Sequence, residues 1–509
     1  MFSFFHIDIL SITLLLVIAY VSRYYYKYFT RESPLPGPFP LPFIGNFFTI
    51  IRDISVWPSE LQSKYGDIFE VYVGSKRKVW LCNEELTEKI FSFVPRGNFH
   101  NRVDKNSDLQ EIGIVNTGLA MNIDYDNWLY IQKFYLKAIF SRSFMKQSFV
   151  CAQASFQKME NYWMMLGEGT VLDLSQWMKS YIRDTIDLLT ISKSSDTLTS
   201  YYKEISSDKN TGVSDKDNEY IQKCGTQFPN ALLWFRSVPK FIRDFPGINL
   251  YTTRLKKQME YLRNHFLKIV NARREEIEKT PEDKQLTPDL LTMFLTANTS
   301  RDINKDENNN RPMLDEEIAP NFMEISLAAL VTTSEALFHL LYLTSKYPKV
   351  KQRLIQEFKE VFPDSHITYE GINKLVYCDA VLKEAFRISP TAQYVAKRNE
   401  EPDQIGGYTF PANTGFFVFI EALNKQKSKW TDPELFNPDR FMDESHPDYR
   451  NKIYNFGEGL RKCPGRNLGK LLLKTTLVML YQKYDLEFVN TENPLKFTKF
   501  LFKRCVGFE

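Results

Sequence analysis

Residues 455 to 467 read Asn455-Phe456-Gly457-Glu458-Gly459-Leu460-Arg461-Lys462-Cys463-Pro464-Gly465-Arg466-Asn467, and everything else in the chain is interpreted from this stretch outward. Cys463 stands between two glycines, two residues after an arginine, at the mouth of an apolar helix that begins Asn467-Leu468-Gly469-Lys470-Leu471-Leu472-Leu473. A thiolate that ligates iron has to be held away from bulk water, and its charge is stabilised by backbone N–H groups. Gly459 and Gly465 lack a Cβ and let such groups approach. The positive end of the following helix favours an anion at the same place. A lone cysteine in a glycine-rich turn is more often a buried structural thiol, so the reading depends on what the rest of the chain carries.

The pattern Phe-x-x-Gly-x-Arg-x-Cys-x-Gly is filled at Phe456, Gly459, Arg461, Cys463 and Gly465. It resembles the haem-binding loop of the cytochrome P-450 superfamily, in its microsomal eukaryotic form. The resemblance implies that Cys463 is the axial metal ligand of haem b, iron protoporphyrin IX, and that its electron donation favours O–O cleavage. It also implies that Arg461 meets a porphyrin carboxylate and that Phe456 packs over the ring near the sulfur.

Further motifs follow the superfamily's order. Lys383-Glu384-Ala385-Phe386-Arg387 resembles its Glu-x-x-Arg motif, with both charges on one helix face. Phe436-Asn437-Pro438-Asp439-Arg440-Phe441 is similar to its Pro-x-Arg-Phe segment. Together they imply a buried structural cluster of Glu384, Arg387 and Arg440 that fixes the core around the haem. On a long helix expected from about 317 to 347, Ala328-Ala329-Leu330-Val331-Thr332-Thr333 falls where the superfamily has its oxygen-binding motif. Ala328 is then expected against the cofactor, and Thr332 and Thr333 are the candidate catalytic alcohols. Val331 replaces the usual acid and Ala329 the usual glycine. The stretch from Asp126 to Lys133 resembles the Trp-x-x-x-Arg helix that flanks the haem. Trp128 fits, Gln132 stands where the arginine belongs, and Lys133 is a rotated substitute for it. Arg398, ahead of Gly406-Gly407, is the expected propionate donor, with Lys397 the alternative.

Composition is consistent with this outline. A chain of 509 residues, 43% apolar and 15% aromatic, can bury a large core. A net charge of +3, with no basic run interleaved with aromatics, is too small to suggest a nucleic-acid binder, and no nucleic acid is expected among the partners. The cysteines at 82, 151, 224, 378, 463 and 505 show no C-x-x-C spacing, which fits reduced thiols better than a disulfide scaffold or a zinc site. Ile9 to Ser22 is uncharged and rich in Leu, Ile and Val, and about 20 such residues cross a bilayer. Arg23, Lys27 and Arg31 follow within an aromatic belt, which by the positive-inside rule keeps the body cytosolic. Pro34, Pro36, Pro38, Pro40 and Pro42 then make a semi-rigid extended spacer.

The expected organisation is a transmembrane anchor at 1–22, a basic, aromatic and proline-rich hinge at 23–42, and a haem-thiolate catalytic domain at 43–509. The expected fold class is mainly α with a small β part: the triangular, α-rich cytochrome P-450 fold after one N-terminal transmembrane helix. Helical periodicity runs over about 128 to 165, 173 to 193, 250 to 279, 316 to 347, 349 to 362 and 378 to 388. Residues 68–73 and 78–82 read as a hairpin, and the polar stretch 298–311 as a surface loop.

The resemblance implies a monooxygenase on the endoplasmic reticulum membrane, single-pass with its catalytic domain cytosolic. It would insert one oxygen atom from O2 into an apolar or amphipathic small molecule, with electrons from an NADPH-dependent flavoprotein reductase. Lys133, Lys137, Arg142, Lys462, Arg466, Lys470 and Lys474 are placed to steer an acidic reductase surface. The opposing expectation, kept open by Val331, is a haem-thiolate protein that rearranges hydroperoxides or binds ligands without reductive O2 activation.

Overall fold

The computed structural model describes residues 9–52, 57–104, 106–206, 216–302, 311–489, 496–499 and 503–507. Most of the expected surface loop, residues 303–310, and residues 1–8 of the expected anchor lie outside them.

Capping decides where the helices start. The stretch expected as one helix from 128 to 165 is two, α2 (Tyr125–Phe140) and α3 (Arg142–Leu166). Ser141 separates them: its backbone is extended, at φ −63° and ψ 140°, and its hydroxyl accepts the N–H of Phe144 to cap α3. Asp124 caps α2 in the same way through Asp126 and Asn127. Next come α4 (Leu174–Ile191), α5 (Lys216–Ser237) and α6 (Ile248–Lys279). The sequence reading missed α5, whose interior Pro229 interrupts its pattern.

The central helix α7 (Asp315–Lys346) has 32 residues, about 48 Å of helix. Glu317 starts it by accepting the N–H of Leu314 at 2.9 Å. It packs against α4 and α6. Among the described residues it is the one helix long and apolar enough to cross a membrane, yet 61% of its most apolar window is buried inside the protein. It is therefore the core helix. Helices α8 (Pro348–Val361), α9 (Val376–Ile388) and α10 (Arg466–Tyr481) complete the body around it.

The β part is small. Strands β1 (Ile68–Val73), β2 (Lys76–Leu81), β3 (Tyr394–Arg398) and β6 (Gly415–Phe419) form one sheet in the order β1-β2-β6-β3, with β2 and β6 parallel. Strands β4 (Asp403–Ile405) and β5 (Tyr408–Phe410) pair with each other, as do β7 (Lys496–Lys499) and β8 (Lys503–Gly507).

At the N-terminus, α1 (Ile9–Phe29) runs without a break through the residues expected to leave the membrane. Leu10, Leu14, Leu15, Leu16 and Ile18 are exposed on it. Its last turns pack on the body, Tyr20 against Phe43 with ring centroids 4.1 Å apart and Tyr25 against Phe39 at 5.3 Å. The proline-rich segment, expected as a semi-rigid extended spacer, lies against the body. Leu35 is buried, the carbonyl of Pro36 accepts the N–H of Glu70 at 2.9 Å, and Gly37 lies so close to β1 that a Cβ would stand 2.2 Å from the Glu70 carbonyl oxygen. Proline has no N–H but keeps its carbonyl, which here serves a strand edge.

Candidate active site

The loop before α10 folds back on itself. The N–H of Cys463 donates to the carbonyl of Phe456 at 2.8 Å, and the N–H of Lys462 to Gly459 at 3.0 Å. Gly459 sits at φ +76°, and a Cβ there would meet the carbonyl oxygens of Phe91 and Ser92 at 2.6 and 2.8 Å. Its glycine character is thus demanded by a neighbouring turn as well as by the loop's own bend. Gly465, the N-cap of α10, donates its N–H to the Cys463 sulfur. Burial pushes the Cys463 thiol up, while that N–H and the charges of Arg102 and Arg466 pull it down. Phe456 stands edge-on to Phe386 of α9, centroids 5.2 Å apart.

Helix α7 supplies a second face. In mid-helix, where Leu327 and Val331 are buried, Ala328 is exposed and Ala329, Leu330 and Thr332 are half-exposed. An i, i+4 spacing places Glu324, Ala328 and Thr332 along one stripe. The hydroxyl of Thr332 donates to the Ala328 carbonyl at 2.8 Å, leaving its lone pairs free to accept. Thr333 is buried instead, because the next residue on a helix is turned by about 100°. Glu324 is half-buried, and its Oε2 accepts the N–H groups of Leu119 and Ala120 at 2.7 and 2.8 Å. Burial pushes its carboxyl up to about 7, against those two N–H groups and the charges of Arg102 and Arg461. Glu335 is buried on another side, 3.9 Å from Lys179 of α4.

Interior cations, Arg461 buried and Arg102 half-buried, join the two faces. The sequence reading missed Arg102, which donates to the Arg461 carbonyl at 2.6 Å and lies within electrostatic range of both Cys463 and Glu324. Arg461 itself is held by the carbonyls of His100, Leu119 and Asn122 at 3.1, 2.9 and 2.6 Å. Two of its five N–H donors remain. Its guanidinium lies 4.1 Å from the centroid of the buried Trp128 ring.

Two expectations for cofactor contacts change. Arg398 turns to Asn413 and to Asp104, 3.3 Å away, whereas Lys397 is the residue in range of Arg102 and Arg461. Adjacent strand residues point to opposite sides, so both cannot face the loop. Lys133 is exposed at the surface, and Gln132 reaches the loop instead, donating to the Leu460 carbonyl at 3.1 Å.

These residues fit a haem. A thiol with a backbone N–H on its sulfur and Glu324, at the head of the helix stripe, both lie within electrostatic range of Arg102. Arg102, Lys397 and Arg461 stand together in the interior with Glu324 the carboxylate in range, so two propionates would balance them. Cys463 would ligate the iron, the three cations would take the carboxylates, and Ala328 would leave room over the ring.

Glu384, Arg387 and Arg440 meet beneath the loop. Arg387 holds both Glu384 oxygens at 2.8 Å and Arg440 Nε reaches Oε1 at 3.1 Å, all three side chains being at most 1% exposed. Asp448, which no motif revealed, pairs with Arg440 as a fourth member and balances the charge.

Comparisons with known proteins agree with this geometry. The cytochrome P450 family model matches residues 35–504. Cytochrome P450 3A14 of Cavia porcellus is 23% identical over 483 residues, covering 94% of this chain and 90% of the relative. Cytochrome P450 3A6 of Oryctolagus cuniculus is 24% identical, covering 92% and 89%. Carnosic acid synthase of Rosmarinus officinalis is 25% identical, covering 89% and 86%. The loop, the stripe on the core helix and the match along most of the chain lead to one statement: the chain belongs to the cytochrome P450 family, haem-thiolate monooxygenases that hold haem b through a cysteine.

Proposed function

We propose that this protein is a membrane-bound monooxygenase that inserts one oxygen atom from O2 into an apolar or amphipathic small molecule, using electrons from an NADPH-dependent flavoprotein reductase. The observation that carries this reading is the Cys463 loop meeting the Glu324–Ala328–Thr332 stripe through Arg102. The haem, when bound, supplies the activation of O2. The chain's own residues position and protonate. Ala328 leaves space beside the ring, and Thr332 presents a hydroxyl able to accept and pass a hydrogen bond. Val331, a buried isopropyl group where the family usually has an acid, can neither carry nor order a proton.

The wild type is therefore expected to lose part of its reducing equivalents as peroxide, and Val331→Asp to raise the ratio of product formed to reductant consumed. That ratio is measured with peroxide release followed alongside. A tightly coupled wild type that Val331→Asp does not improve would show that protons arrive by another route, with Glu324 the nearest acid along the stripe. Val331 also favours the second reading, hydroperoxide rearrangement or ligand binding, which complete absence of reductant use would select.

The proposed location is the endoplasmic reticulum membrane, with the anchor near 1–22 crossing once and the body, joined by the hinge at 23–42, cytosolic. The exposed apolar side chains of α1 and the charges of Arg23, Lys27 and Arg31 support it. Protease added outside sealed microsomes should digest the body, and protection beyond Pro34 would contradict this topology. Of the cations expected to steer a reductase, Lys474 is withdrawn: it is buried, 2.8 Å from Asp379, because its helix face packs inward. Lys133 and Arg142 stand exposed.

A further inference from the structure

Four buried arginines in this fold pair with acids. Arg387 has Glu384, Arg440 has Asp448, Arg243 has Asp108 and Glu111, and Arg273 has Asp289. Two half-buried cations around the ring of Phe417 have no such partner among the described residues. Lys78 of β2 lies opposite Gly415 in the parallel register, and its stem runs along that bare backbone, where an added Cβ would be 3.4 Å from its Cδ. Its Nζ stands 5.7 Å from the centroid of Phe417. Arg236, in the last turn of α5, brings its Cζ to 5.2 Å from the same centroid. Its one hydrogen bond among the described residues is a long one, 3.4 Å, to the Arg102 carbonyl.

Neither cation has an ion pair among the described residues. Asp104 is within electrostatic range of Lys78 but is paired with Arg398 at 3.3 Å. Burial, Arg398 and Arg236 push the Lys78 ammonium down, and burial lowers Arg236. Leaving two such charges together without an anion is costly, and an arriving anion would relieve it. They stand one step outward from the cations assigned to the propionates: Arg236 touches Arg102, and Arg102 senses Cys463.

We propose that Lys78 and Arg236 form a subsite for the anionic head of an amphipathic ligand, a carboxylate at the end of an apolar chain, whose tail is directed to the Ala328–Thr332 stripe. An arginine fork beside a lysine suits a carboxylate. This deepens the monooxygenase reading and rests on it for the tail's fate, while the binding claim stands on the two cations alone.

The test compares dodecanoate, dodecanol and dodecylamine binding to the holoenzyme by haem absorbance shift and equilibrium dialysis. Dodecanoate should bind roughly tenfold more tightly than dodecanol, and dodecylamine most weakly. Lys78→Gln combined with Arg236→Gln should remove the preference for dodecanoate while haem content and dodecanol binding persist. Lys78→Arg should keep the preference, and so should Lys76→Gln at the exposed end of the same strand. Equal affinity of the wild type for dodecanoate and dodecanol overturns the proposal. So does loss of haem from the double variant, which would assign the pair to a propionate. So does a double variant that binds phosphatidylserine vesicles less well yet keeps its preference for dodecanoate, which would assign the pair to a lipid headgroup. Should the double variant not accumulate, the wild-type comparison of the three heads decides. Tight dodecanoate binding without reductant use would leave the subsite standing and sink the monooxygenase reading.

Discussion

Cys463→Ala is expected to lose completely the long-wavelength absorbance band that a reduced, thiolate-ligated haem gives with carbon monoxide. Cys82, Cys151, Cys224 and Cys378 are all buried elsewhere in the fold, so among the described cysteine side chains none is placed to take over. Cys463 differs in facing a cationic interior with a backbone N–H on its sulfur. Alanine keeps the loop's Cys463-to-Phe456 backbone bond and removes the ligand alone, so folded protein lacking the band separates ligation from folding. A variant that keeps the wild-type band would overturn the assignment.

Glu384→Ala should have the largest effect on stability, about 3–5 kcal/mol, because it strands buried charge. Arg387 would keep the carbonyls of Asn424, Pro433 and Leu435, and Arg440 would keep Asp448, but Arg387 would have no counter-charge. The N–H of Asn437 would lose its acceptor at 2.9 Å as well. Against a typical total of about 5–15 kcal/mol, such a loss removes a large share of the margin that keeps the protein folded. Chemical unfolding of wild type and variant measures it. A difference under about 1 kcal/mol would mean that the cluster is dispensable.

What the sequence disclosed was chemistry compressed into short spacings. The Cys463 loop, Glu384 with Arg387, and Pro438 with Arg440 could be read because each function needs fixed residue types a few positions apart. Arg102 could not, because nothing next to it in sequence marks it; its role arises where its loop crosses the Arg461 carbonyl. Asp448 was hidden for the same reason. The choice between Lys397 and Arg398 turned on which side of a strand faces the loop, and strand phase is fixed by pairing with β6 rather than by composition. The break at Ser141 was written in the sequence as a capping serine, but the apolar rhythm on both sides concealed it. Thr332 was legible by its place in a motif, whereas Glu324 gains its meaning only from Leu119 and Ala120, which lie some two hundred residues earlier.

One buried carboxylate joins the N-terminal helix to the sheet. Glu70, 2% exposed on β1, receives Arg31 from just beyond α1 at 2.7 Å on one oxygen and Arg77 of β2 at 2.6 Å on the other. With the proline-rich segment hydrogen-bonded to the same residue's backbone, α1 is splinted to the four strands that also carry Lys78 and Lys397. A tilt of α1 is then a tilt of the body. On any surface that held α1, this splint would set the direction in which the sheet looks, and Glu70→Ala should loosen that coupling without removing the helix.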